Sequence, residues 1–126
     1  MSKLSELYAQ AESLNEEIPG ELAKKIRVYA EIMQIIGRMH ASAVNDYGLA
    51  YSKRKLAYAE AISNSTGKVV EREAQAEIAC NPHRKEEAQA EADKERWRNA
   101  KDSTAEIINA LKKQLDTLMI EYGKTG

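Results

Sequence analysis

Residues 21–63 read ELAKKIRVYAEIMQIIGRMHASAVNDYGLAYSKRKLAYAEAIS, a long run without a proline. Within it Leu22, Ile26, Tyr29, Met33, Ile36, His40, Ala43, Tyr47 and Ala50 recur in alternating steps of four and three. Such steps hold one face of an α-helix against a neighbouring helix over many turns. At about 1.5 Å per residue the run makes a rod of roughly 64 Å. Gly37 and Gly48 lie inside it. Each costs about 1 kcal/mol relative to alanine, so each marks a close approach or a bend.

The rest of the chain divides around this run. Residues 2–14 place Leu4, Leu7, Tyr8, Ala11 and Leu14 on one face of a first helix, which Asn15 to Gly20 then breaks. After the stop at Asn64-Ser65-Thr66-Gly67, a short helix is expected over residues 68–80. Asn81-Pro82 predicts a restart, because a residue before proline avoids the helical region and proline suits a first turn. The last helix reaches about Tyr122 with Trp97, Ala100, Thr104, Ile107, Leu111, Leu115, Leu118 and Tyr122 on one seam. Glu-Ala-Gln-Ala-Glu occurs at 73–77 and again at 87–91, two heptads apart.

Composition agrees with this reading. Ala, Glu, Lys, Leu and Arg make up half of the 126 residues, while Leu, Ile and Val together number 23 and Phe is absent. That balance suits narrow helix–helix seams and excludes a wide globular core. The expected fold is all-α: an elongated, coiled-coil-like antiparallel hairpin of two long helices with short flanking helices. It forms a single helical domain over 1–126, with an acidic N-terminal helix and linker at 1–20 and the hairpin at 21–126. Two long seams leave more apolar surface than one chain covers, so a homo-oligomer is expected, with Tyr47, Trp97, Ile107, Leu111, Leu115 and Leu118 at its interface.

Composition also narrows the chemistry. A lone cysteine, Cys80, excludes an internal disulfide framework and fits a reducing compartment. No apolar run approaches the ~18 residues of a membrane span, and the first residues lack the apolar core of a signal peptide. A cytoplasmic protein without a membrane role is the expectation. Cys80 and His83 are two ligands where zinc needs three or four, and His40 lies far off in the seam. The carboxylates are spaced as surface ion pairs, and Ser65-Thr66-Gly67-Lys68 lacks the strand and first glycine of a phosphate loop. No metal, cofactor or catalytic activity is expected.

One segment has a distinct character. Between residues 50 and 72 the bases Lys53, Arg54, Lys55, Lys68 and Arg72 outnumber Glu60 and Glu71, with Tyr47, Tyr51 and Tyr58 interleaved. Arg84 and Lys85 return to the same end once the chain folds back. Bases that follow phosphates, beside rings on which nucleobases stack, are the ingredients of single-strand binding. Tyrosines at helical spacing are most often interface or core, and a Lys-Arg-Lys triplet is often a solvated face. By contrast, residues 1–21 set Lys3 against five glutamates.

The order of features resembles the UvsY-type phage recombination mediators. The likeness lies in a long helix ending at Tyr51-Ser52-Lys53-Arg54-Lys55-Leu56-Ala57-Tyr58, a polar break Ser65-Thr66-Gly67-Lys68, and a Trp-anchored helix from Glu95 to Tyr122. The resemblance implies a ring-forming helical protein that binds single-stranded DNA in the host cytoplasm. It also implies help in loading a recombinase onto strands held by a single-strand-binding protein. It carries over Lys53, Arg54, Lys55 and Lys68 as phosphate contacts. This chain lacks the family's longer acidic insert after the glycine turn and its strongly basic C-terminal segment. The leading expectation is an oligomeric single-strand-binding accessory of phage recombination, with Tyr51, Tyr58, Arg72, Arg84 and Lys85 completing the site. The alternative is a phage helical inhibitor or adaptor that docks on a host protein without binding nucleic acid.

Overall fold

The structure, a computed structural model, describes residues 2–125. Three helices take up nearly all of it: α1 (Lys3–Glu12), α2 (Pro19–Asn64) and α3 (Val69–Thr125). The fold is all-α, with α2 packed strongly on α3.

Helix α1 starts where Ser2, in extended conformation, accepts the Ser5 amide on its hydroxyl at 3.1 Å. A serine N-cap of this kind satisfies one of the amides left free at a helix start. Leu7 and Ala11 form its buried face. In the connection, Asn15 Oδ1 accepts the Glu17 amide at 2.9 Å, and Glu21 accepts the Asn15 amide at 3.2 Å. Proline 19 opens α2, two residues earlier than the sequence reading placed it. Its fixed φ and missing amide cost nothing in a first turn.

The helices form two compact units, each described by itself. One comprises Met1–Met39 with Arg98–Gly126. Its buried residues are Leu7 and Ala11 of α1, Leu22, Val28, Ile32 and Ile36 of α2, and Thr104 and Leu111 of α3. Leu22 and Ile36 belong to the expected seam; Val28 and Ile32 do not. Helix α1 folds back along α2 beside Val28: the Tyr8 and Tyr29 rings meet edge to face at 6.4 Å, and Val28 shares a groove with Gln10 and Leu14. Lys25 pairs with Glu16 at 3.0 Å in the connection, and Gln114 of α3 donates to the Glu16 carbonyl at 3.5 Å. Thr104 satisfies its hydroxyl on the Ala100 carbonyl.

The other unit is His40–Trp97. Here Tyr47 meets Lys94, Lys53 meets Glu86, and Ile62 meets Arg72, so α2 and α3 run antiparallel. The turn between them needs Gly67, at φ +105°, a conformation that side chains rarely adopt. Glu71 covers the start of α3, accepting the Lys68 amide at 3.4 Å. The buried residues of this unit are Ala43, Ala76 and Cys80. All are small.

One expectation is corrected. Residues 68–80 are not a separate short helix, and Asn81-Pro82 is not a restart, because α3 continues through Pro82. Proline leaves the carbonyl four residues earlier without its amide. That residue, Ile78, is 76 % exposed, and Asn81 and Pro82 are exposed beside it, so the freed carbonyl belongs to the solvent side of the helix. On the opposite side Ala76 and Cys80 are buried, and their packing holds the helix on course. Among the described residues the one short flanking helix is α1.

Candidate nucleic-acid interface

All nine residues read as a strand-binding site lie in the His40–Trp97 unit, on the end of α2, the turn and the first turns of α3. The structure gives them different surroundings. Lys53 meets Glu86 at 3.2 Å with both side chains exposed. Arg54 donates through Nε to Glu87, and both side chains are mostly covered. Its guanidinium is held more firmly protonated than usual, first by the hydrogen bond to Glu87. Arg84 reaches both carboxylate oxygens of Glu77, at 3.0 and 2.9 Å. Arg72 turns inward and caps the end of α2, donating to the Ile62 carbonyl at 3.0 Å, while its Nε is buried without a partner.

That leaves Lys55, Lys68 and Lys85, all exposed and outside every described ion pair. Lys55 and Arg54 stand 5.1 and 5.3 Å from the centre of the Tyr51 ring, within cation–π range. Tyr51 is exposed; Tyr47 and Tyr58 are half-buried. Tyr47 lies under the Lys94 ammonium at 4.2 Å and beside the Tyr51 ring at 6.5 Å. Its hydroxyl is pushed above the usual tyrosine range, first by burial and then by Glu91 and Glu87. A raised value favours the folded state until the unfolded tyrosine ionises near pH 10, and the benefit is lost as pH climbs from there through the folded value.

Sequence reasoning missed the acidic half of this surface. Over residues 51–87 seven bases face six carboxylates, a near balance that the segment 50–72 alone conceals. Glu77 and Glu87 each belong to one copy of the Glu-Ala-Gln-Ala-Glu repeat, and each holds an arginine. The repeat was the available signal. Glu77 meets Arg84 seven residues on in the same helix, whereas the pairing of Glu87 with Arg54 needed the register of α3 against α2.

The Arg54–Glu87 pair has a testable consequence. Removing one member strands a mostly covered charge, whereas replacing both with apolar residues strands none. Glu87→Leu is therefore expected to lower the thermal midpoint, and adding Arg54→Met to recover part of the loss. Circular dichroism melts of the three proteins check this, and a single variant melting like wild type would show that the pair contributes nothing.

The expected interface residues are also spread. Tyr47, Trp97, Leu115 and Leu118 are half-buried, Leu111 is buried inside its own unit, and Ile107 is 41 % exposed. Arg96 stacks on Trp97 at 5.3 Å. Between α2 and α3 an open groove of about 450 Å³ has Ala43 and Ala90 among its lining residues, with Asp46, Lys85, Glu86 and Asp93 around them. Among the described residues, no group of three or more His, Cys, Asp or Glu side chains could hold a metal ion. Among the described residues no helix is long and apolar enough to cross a membrane.

The class these observations define is an all-α protein of three helices with α2 packed on α3. Comparison with known proteins finds no matching family model, no matching curated protein and no matching solved structure. The likeness to the recombination mediators stands on the order of sequence elements alone.

Proposed function

We propose that the protein is a homo-oligomer, with α2 and α3 packed in coiled-coil fashion, that binds single-stranded DNA as an accessory of phage recombination. The observation that carries this reading is Tyr51, the exposed ring of the basic segment, with two cations beside it. A base can stack on such a ring while Lys55, Lys68 and Lys85 follow the phosphates. Three unpaired lysines make a weak site in one chain. Several copies on one strand act as linked sites, which is why assembly and binding belong together. A recombinase or a single-strand-binding protein is a further partner in this reading.

Each phosphate contact on a single strand releases roughly 0.7 counterion. Replacing Lys55, Lys68 and Lys85 with glutamine should therefore flatten the slope of log affinity against log salt by about 2. Tyr51→Ala should weaken binding by ~1–3 kcal/mol with little change of slope. Fluorescence anisotropy of a labelled oligo-dT strand over a salt series measures both. Failure of the oligomer to bind a ~30-residue strand at low salt, where such contacts are strongest, removes the reading.

A second reading is an inhibitor or adaptor that binds a host protein. The neutralisation of Lys53, Arg54 and Arg84 by Glu86, Glu87 and Glu77 favours it, because it leaves little net positive field for phosphates. Salt-sensitive binding to a basic protein partner without strand binding would select it.

A further inference from the structure

The two compact units differ in what they bury. The unit of Met1–Met39 with Arg98–Gly126 buries Leu7, Leu22, Val28, Ile32, Ile36 and Leu111, whereas the buried residues of His40–Trp97 are Ala43, Ala76 and Cys80. In the latter, Tyr47, Tyr58, Ile62 and Trp97 stay half-buried. Burial stabilises in proportion to the apolar area taken from water, while ordering the backbone costs about the same for every helical residue. A seam of alanines and one cysteine therefore offsets less of that cost than a seam of leucines and isoleucines.

Three further features weaken the same unit. Among the described residues, the buried side-chain polar atoms without a partner are Arg72 Nε and His83 Nδ1, and both belong to it. Each loses hydration on folding and regains it when the helices part. Pro82 removes a backbone hydrogen bond from inside α3. Lys53 and Glu86 pair with both side chains exposed, and exposed pairs contribute little.

We infer that the His40–Trp97 unit opens cooperatively, α2 parting from α3 within it, while the other unit stays folded. Native proteins open in this way through their least stable cooperative unit. Parting the helices breaks the Lys53–Glu86 and Arg54–Glu87 pairs together. Two bases that the closed unit withholds are then free, so the fold carries a switch over its own positive charge. Opening also bares Cys80, which is 0 % exposed in the closed unit and donates its thiol to the Arg54 carbonyl at 3.8 Å. It belongs to the single chain and needs neither a strand nor a second copy.

Cys80 is the one cysteine of the chain, so alkylation of the full native chain by iodoacetamide, followed by mass spectrometry, reads the opening. Two variants separate the ways in which the thiol can be bared. Gly67→Ala strains the turn inside the unit, because φ there is +105°, and Ile32→Ala removes core from the other unit. Gly67→Ala should speed alkylation about fivefold or more, since parting the helices releases the strain. Ile32→Ala should leave the rate within about twofold of wild type, because Ile32 keeps its surroundings when the other unit opens. Acceleration by both, reaching about 100-fold for Ile32→Ala, would mean that only global unfolding bares Cys80, and overturns the inference. Acceleration by neither would mean a fluctuation confined to the thiol, and overturns it equally. If either variant fails to fold, wild type in urea decides. A rate that rises with urea less steeply than global unfolding does supports the inference, and an equal slope or none overturns it.

Discussion

Replacing Ile32 with alanine is expected to destabilise the protein by about 3 kcal/mol, within the ~2–5 kcal/mol found for truncating a buried isoleucine. Ile32 is 0 % exposed and sits in the unit that gathers Leu7, Leu22, Ile36 and Leu111. The loss combines the transfer of the removed carbons with the cavity they leave, and the cost depends on how far that cavity collapses. Urea unfolding followed by circular dichroism measures it. Leu49→Ala is the contrasting variant. In a single chain its exposed side chain is worth less than ~0.5 kcal/mol, as for other surface positions. A larger loss at Leu49 would mean that the residue is covered in solution. Equal and negligible losses at both positions would contradict the placement of the core.

Pro82→Ala is expected to raise stability by about 2 kcal/mol. Proline in a helix interior is ~3 kcal/mol less favourable than alanine, through the lost amide and the clash of its ring with the preceding turn. Against that gain, alanine frees the unfolded chain and gives back ~0.4–1 kcal/mol. The gain is the larger effect, so the sign is positive. The same melts report it. A neutral or negative result would mean that residues 68–80 and the segment after Pro82 are separate helices, as the sequence alone predicts, with Pro82 at home in a first turn.

Much of the fold was legible residue by residue. The four-and-three spacing from Leu22 to Ala50 located α2 to within two residues at its start and one at its end. The stop at Asn64 to Gly67 was legible because only glycine accepts the turn that Gly67 makes. The bound at Pro82 was misread for an equally physical reason. The local preferences of proline and its preceding residue act within one turn, whereas the packing of Ala76 and Cys80 acts across the whole helix. The basic segment was visible as a list of side chains. Which of those charges stay open was not, because Glu86 and Glu87 lie 33 residues further along the chain than the bases they meet.

By itself the sequence determined the helical class, the places where α1 and α2 begin and end, and the identity of the residues able to touch phosphate or ring. These depend on neighbours three and four positions away, and local spacing carries that information. Only the tertiary structure decided that Val28 and Ile32, outside the seam, are buried, with α1 folded back beside Val28. It also decided that α3 runs through Pro82, and that Arg54 is held by Glu87 across the two helices while Lys55, Lys68 and Lys85 are held by no carboxylate among the described residues. Those outcomes turn on the antiparallel register of α2 against α3 and on which side of α2 receives α1. Register sets every cross-helix distance at once, and no window along a single helix contains it.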